Sequence, residues 1–147
     1  MKLTDIIGGA KPSLSFEVFP PKNNANYESI RAAVEEVASL MPSYISVTYG
    51  AGGGTSDYTV ALAADVQDRY HLPVLAHLSC VNATRQGVVA QLDAMRKRGI
   101  ANVLALRGDM PPGSAPQEHW GYRYAGELVA EIREYGGFCV GGACYPE

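Results

Sequence analysis

The sequence has little of what marks secreted, membrane-spanning or nucleic-acid-binding proteins. Its three cysteines are an odd number without a C-x-x-C pair, which argues against a disulfide framework and favours reduced, buried thiols in a cytoplasmic protein. No stretch reaches the roughly 18 apolar residues of a membrane-spanning helix, and the first residues lack the apolar core of a signal peptide. With a formal charge of −3 and no basic run longer than Arg96, Lys97 and Arg98, we expect neither a nucleic-acid nor a membrane partner.

Apolar material is plentiful, because hydrophobic residue types make up 47% of the 147 residues. A chain of this size can bury about 68–70% of the surface that its unfolded form exposes, so intrinsic disorder is excluded. The length fits one domain of roughly 100–200 residues. His71, His77 and His119 are scattered along the chain, so no metal site is predicted.

Short apolar runs alternate with longer segments of helical periodicity, which predicts a parallel α/β sheet with helices packed on it. The predicted strands are Leu14–Phe19, Tyr44–Tyr49, Val74–Ser79, Asn102–Leu106 and Phe138–Ala143. The predicted helices are Tyr27–Leu40, Ser56–Tyr70, Thr84–Arg98 and Tyr124–Tyr135. Thr84 is the predicted N-cap of the third helix, Gly99 its end, and Gly136-Gly137 the end of the fourth.

Chemically useful residues follow the predicted strands, at the edge where parallel α/β folds place their sites. Glu17 stands among apolar neighbours in the first strand, and a carboxyl kept from water holds its proton to higher pH, which suits proton transfer. The alternative for Glu17 is an ion pair with Arg107 or Lys22. The glycine-rich loop 50–54 is compatible with an anion or a flat cofactor, or is simply a tight turn.

Two further positions are open to more than one interpretation. His77 lies inside a predicted strand, where it is either a hydrogen-bonded core histidine or a ligand contact. Arg107-Gly108-Asp109 ends a buried strand, so a ligand contact fits it better than cell adhesion: the arginine would meet a phosphate or a carbonyl, and the glycine would let the ligand approach the backbone.

Five segments in order resemble the successive motifs of the methylenetetrahydrofolate reductase family. They are SFEVFPPK at 15–22, SVTYGAGG at 46–53, HLSC at 77–80, ALRGDMP at 105–111 and ACYPE at 143–147. The resemblance implies an α/β fold of the (β/α)8 TIM-barrel type that carries noncovalent FAD at the carboxyl ends of its strands. It also implies NAD(P)H as electron donor, a small-molecule folate substrate that is reduced from 5,10-methylenetetrahydrofolate to 5-methyltetrahydrofolate, and a homo-oligomer in full-length members.

The same resemblance assigns roles to individual residues. It makes Glu17 the general acid that protonates the folate nitrogen, and Asp109 a catalytic residue near both flavin and folate that tunes the flavin. The cofactor-binding positions that it implies are Thr48, Tyr49, Ala51, His77, Arg107, Gly108, Asp109, Tyr124, Ala125 and Tyr145.

The length departs from the family pattern, since a closed eight-stranded barrel usually needs about 250 residues. We therefore expect residues 1–147 to be the amino-terminal portion of one flavin-binding barrel, with about five strands and four helices. Three hypotheses follow: a flavoenzyme of one-carbon metabolism, a flavin- or nucleotide-binding module without turnover, and an inactive fragment that needs a partner half. The third arises because the first and fifth strands would leave two unpaired sheet edges.

Overall fold

A computed structural model describes residues 1–21, 26–49, 56–109 and 120–144. Lys22, His119, the loop 50–54 and two predicted site residues, Ala51 and Tyr145, lie outside these ranges. The strands are β1 (Ser15–Val18), β2 (Tyr44–Val47), β3 (Val74–Ser79), β4 (Asn102–Leu106) and β5 (Cys139–Gly142). The helices are α1 (Thr4–Ile7), α2 (Tyr27–Ser39), α3 (Ser56–Tyr70), α4 (Arg85–Lys97) and α5 (Ala125–Tyr135).

The five strands form one sheet in the order β1-β2-β3-β4-β5, and every neighbouring pair is parallel. Because parallel crossovers are right-handed, a strictly sequential order places the connecting helices on one side of the sheet. This confirms the predicted α/β fold, which has the strand order of a partial (β/α)8 barrel. Within the described ranges β1 and β5 each pair with one strand only, so both are edges.

The core lies between the sheet and the helices. The strand side chains that face the helices are fully buried, since Ile45, Val47, Leu78 and Val103 are each 0% exposed. From the helices they meet Val66, Leu92, Met95, Leu128 and Ile132. The alternate strand positions, Glu17, Ser46, His77 and Leu104, stand outside this core cluster. We call the side of the sheet that carries these four residues the open face.

Most element boundaries agree with the sequence-based prediction, because local signals set them. Val74–Ser79, Asn102–Leu106 and Ser56–Tyr70 are confirmed, and the other predicted elements are shorter by one or two residues. Thr84 caps α4, since its Oγ1 accepts a hydrogen bond from Gly87 N at 3.1 Å. Gly99 and Gly136 follow α4 and α5 with φ of 70° and 77°, as predicted for terminating glycines.

Helix α1 is absent from the sequence-based prediction. The segment before it is fixed by the Asn102 side chain, which is 1% exposed at the start of β4. Leu3 N donates to Asn102 Oδ1 at 2.8 Å, and Asn102 Nδ2 donates to Met1 O and Val74 O. Three hydrogen bonds from one amide thus join the chain start to the amino ends of β3 and β4.

All three cysteines are free thiols, but only Cys80 is buried; Cys139 is half-buried and Cys144 exposed, so the predicted burial is wrong for these two. In the ranges that the structure describes, no helix is both long and apolar enough to cross a membrane.

Candidate active site

Three polar side chains from β1, β2 and β3 meet on the open face, and we call them the Glu17–Ser46–His77 cluster. Ser46 Oγ lies 2.7 Å from His77 Nε2, a buried hydrogen bond between β2 and β3. The same nitrogen lies 3.5 Å from Glu17 Oε2. That second distance exceeds the usual N–H···O range of about 2.7–3.2 Å, so it is an electrostatic contact rather than a full hydrogen bond.

Contrary to the prediction from the sequence, Glu17 is not buried. Its side chain is 51% exposed, because β1 is an edge strand with one neighbour among the described residues. The polar partner that the structure places beside it is His77, not Arg107, and Lys22 lies outside the described ranges. Glu17 nevertheless alternates with half-buried Phe16 and Val18, so the strand aims its carboxylate onto the open face.

His77 is a buried, hydrogen-bonded histidine, as one of its two interpretations predicts, and its predicted contact with a ligand stays a prediction. Its side chain is only 8% exposed. Burial lowers the pKa of the imidazole below its ordinary value, and the negative charge of Glu17 opposes that shift only in part. The ring is therefore neutral at neutral pH and carries a single N–H, so the Glu17 contact is not a conventional ion pair.

The end of β2 is fixed by its neighbours. Thr48 N donates to Val18 O, and Thr59 Oγ1 of α3 donates to Thr48 O, both at 3.0 Å. Thr48 is 9% exposed, and Tyr49 is half-buried against the core. Thr59, fully buried, was missed by the sequence analysis; a polar residue on the inward side of a helix was the available signal.

At the end of β4, Arg107 and Asp109 are exposed and flank a glycine with φ of 83°. The space beside Gly108 is already occupied, because an alanine methyl there would lie 2.2 Å from Ser79 Oγ and 2.6 Å from Val81 Cγ1. Glycine is therefore required by packing within the chain. This packing requirement is separate from the predicted approach of a ligand to the backbone at Gly108, which stays a prediction.

The amino end of α5 lies at the same edge of the sheet. Glu127 Oε2 accepts hydrogen bonds from the backbone N–H groups of Arg123 and Tyr124, and these two bonds lower the pKa of the Glu127 carboxyl. Tyr124 is 56% exposed, and Ala125 is half-buried at the first position of the helix. Gly121 N donates to Ala83 O, which ties this segment to the loop after β3.

The predicted site residues fall into two groups. The structure brings Glu17 and His77 into contact, and it places Thr48, Tyr49, Arg107, Gly108, Asp109, Tyr124 and Ala125 at strand ends or a helix start on one edge of the sheet. Ser46 was not predicted. Its signal was the alternation Ile45-Ser46-Val47-Thr48, in which every second residue is polar.

A flavin nucleotide is a flat ring joined to two phosphates, and the described residues are compatible with both parts. Half-buried Leu104 and Leu106 provide apolar surface on the open face, and the exposed Tyr124 ring provides an aromatic plane. The exposed Arg107 guanidinium is suited to a phosphate or a carbonyl oxygen. The apolar surface, the aromatic ring and the guanidinium therefore fit the cofactor that the motifs imply.

Comparison with known proteins agrees with the motifs. A family model for methylenetetrahydrofolate reductase matches residues 2–147. The 5,10-methylenetetrahydrofolate reductase of Salmonella typhimurium is 36% identical over 135 residues, which cover 92% of this chain and 44% of that protein. Methylenetetrahydrofolate reductase 2 of Schizosaccharomyces pombe is 35% identical over 158 residues, covering 100% of this chain and 24% of its own length.

A plant relative, methylenetetrahydrofolate reductase (NADH) 1 of Zea mays, is 35% identical over 152 residues, covering 99% of this chain and 25% of its own. The chain thus spans less than half the length of these curated relatives. Because the family model extends over nearly every residue, the chain belongs to the methylenetetrahydrofolate reductase family.

Proposed function

We propose that this chain forms the amino-terminal part of a flavin-dependent catalytic domain that reduces 5,10-methylenetetrahydrofolate to 5-methyltetrahydrofolate with NAD(P)H. The observation that carries the proposal is the Glu17–His77 contact, which places a carboxyl beside a neutral imidazole on the open face. Family membership supports the substrate class. The name of the maize relative, which includes NADH, supports a nicotinamide donor.

Glu17 acts as the general acid in this proposal. Reduction of the methylene bridge opens a five-membered ring, and the nitrogen that leaves needs a proton. A half-exposed carboxyl on the open face can reach a bound substrate, whereas a buried one would be covered by the sheet. The neutral His77 ring is compatible with this role, since an imidazolium at 3.5 Å would stabilise the carboxylate and disfavour the protonated form that a general acid needs.

The remaining predicted residues bind and orient. A bound FAD would supply the transfer of electrons from the nicotinamide to the folate, which is chemistry that no side chain supplies. Arg107 offers its charge to a phosphate or carbonyl, and Asp109 lies beside it as the second catalytic carboxylate. The other proposed cofactor contacts are Thr48, Tyr49, Ala51, His77, Gly108, Tyr124, Ala125 and Tyr145.

The test begins with the purified 147-residue chain. A visible absorption band of bound flavin, present on purification or after reconstitution, is expected, and NAD(P)H oxidation with an artificial acceptor would show turnover of the first half-reaction. Flavin binding without oxidation of NAD(P)H would favour the hypothesis of a binding module without turnover. No flavin after reconstitution would contradict the site assignment for this chain and favour the fragment that needs a partner half.

The acid role is tested by Glu17→Gln in a chain competent for both half-reactions. We expect flavin reduction by NAD(P)H to be unchanged and folate reduction to fall by about 10²–10⁴, the range of general acid catalysis. Glu28→Gln is the matched control, because Glu28 is 81% exposed on α2 and pairs only with Arg31 among the described residues. Equal loss of both half-reactions in Glu17→Gln would contradict the acid role.

A further inference from the structure

The carbonyl oxygen of Arg107, just after β4, accepts hydrogen bonds from the end of β3 and from the loop that follows it. Val81 N donates to it at 2.7 Å, Ser79 Oγ at 3.0 Å, and Cys80 Sγ more weakly at 3.8 Å. Ser79 is 7% exposed, so its hydroxyl is kept from water and needs a partner within the chain. The Arg107 carbonyl is therefore directed towards β3.

This direction also determines where the N–H of the same peptide group points. The Arg107–Gly108 peptide bond is trans, and in a trans peptide the C=O and N–H bonds point in opposite directions. The N–H of Gly108 therefore points away from β3, at the edge of the sheet where the predicted site residues lie. Within the described part of the chain, no residue accepts a hydrogen bond from Gly108 N.

Glycine at position 108 leaves this peptide group free to rotate. Gly108 has φ of 83°, and a glycine adopts positive and negative φ about equally well. A rotated peptide group would turn the N–H of Gly108 towards β3 and the Arg107 carbonyl outward. The donors on the Arg107 carbonyl thus decide which of the two groups faces outward, and Ser79 supplies the one hydroxyl among them.

We propose that Ser79 is a positioning residue, which holds the Arg107 carbonyl so that the N–H of Gly108 is presented to an oxygen acceptor of the bound cofactor. This inference rests on the proposed function, in which Gly108 is a cofactor contact. A flavin nucleotide carries two kinds of oxygen acceptor, on its phosphates and on its ring carbonyls, and both match a backbone N–H.

Amide hydrogen exchange in the 147-residue chain, with and without FAD, tests the inference. We expect FAD to slow the exchange of Gly108 N–H by about two- to tenfold, because this donor gains an acceptor. Ser79→Ala should speed the exchange of Val81 N–H by about two- to tenfold, and should return Gly108 in the FAD complex towards its rate without FAD. Ser79→Thr keeps the hydroxyl and should restore both rates.

Two controls separate this role from a general loss of stability. Cys80 N donates to Leu106 O, which belongs to the preceding peptide group, so its exchange in Ser79→Ala should change by less than about twofold. Ser39→Ala is the matched variant, because Ser39 Oγ also donates to a backbone carbonyl, that of Glu36, at the end of α2. It should leave the exchange of Val81 and Gly108 unchanged.

Riboflavin and ADP, added separately, identify the acceptor: protection of Gly108 by riboflavin indicates a ring carbonyl, and protection by ADP indicates a phosphate. If FAD binds and the exchange of Gly108 does not slow, the inference is overturned while the proposed function stands. An unchanged Val81 rate in Ser79→Ala, or an equal acceleration of Cys80 and Val81, would also overturn it. A chain that binds no FAD contradicts the proposed function for this chain, and faster exchange of Val81 alone would then still support the hold of Ser79 on the peptide group.

Discussion

Substitution of Gly108 by alanine tests how tightly the ends of β3 and β4 are packed. Its φ of 83° costs an L-residue roughly 1–2 kcal/mol. An alanine methyl would also lie 2.2 Å from Ser79 Oγ and 2.6 Å from Val81 Cγ1, and overlaps of this kind typically cost about 1–3 kcal/mol. We therefore expect Gly108→Ala to lower the free energy of unfolding by about 2–5 kcal/mol in urea denaturation.

Gly99 isolates the backbone part of this effect. Its φ is 70°, and an added methyl would meet nothing within 4 Å, so Gly99→Ala should cost only the roughly 1–2 kcal/mol of the left-handed conformation. The difference in the free energy of unfolding between Gly108→Ala and Gly99→Ala measures the cost of the steric overlap. Losses in the free energy of unfolding that agree within about 0.5 kcal/mol would refute the packing argument for Gly108.

Two further predictions concern buried polar groups. Asn102→Ala removes three hydrogen bonds at a residue that is 1% exposed, so we expect the free energy of unfolding to fall by about 2–4 kcal/mol. The amide hydrogen of Leu3 should also exchange faster, because it loses its acceptor, and an unchanged exchange rate would contradict the anchoring role. Because burial lowers the pKa of His77, its contribution to stability is present above its unfolded value of about 6.5 and is lost as pH falls towards the folded value. Urea denaturation between pH 7.5 and 5 should show this loss, and His77→Gln should reduce the slope.

The parts of the fold that the sequence predicts are those set by local chemistry. A threonine before a helical stripe predicted the Thr84 cap, and glycines after it predicted where α4 and α5 end, because caps and left-handed turns depend on a few neighbouring residues. Helix α1 had no such signal. The Met1–Leu3 segment before it is fixed by Asn102, about a hundred positions away along the chain, and a contact of that kind leaves no periodicity in the sequence.

The sequence predicts some residues of the candidate site and not others, because it does not show how each strand is covered by its neighbours. The apolar run around Glu17 predicts a strand buried on both sides, as central parallel strands are, but β1 is an edge strand in which every second residue is exposed. Ser46 lies in the central strand β2 and is buried, and its residue type alone does not indicate that it pairs with His77. Residue types alone indicated that a carboxylate and an imidazole belong to the site; only the strand register shows that a serine joins them.

The two faces of the sheet carry different kinds of residues, and this separates stability from chemistry. Every described strand residue between sheet and helices in β2, β3 and β4 is apolar and buried, whereas the open face carries the carboxylate, hydroxyl and imidazole. Substituting Ile45 or Leu78 would open a cavity, at about 2–5 kcal/mol for a change to alanine. Substituting Glu17 removes a half-exposed group from an edge strand, so a loss of folate reduction in Glu17→Gln would report on proton transfer rather than on unfolding.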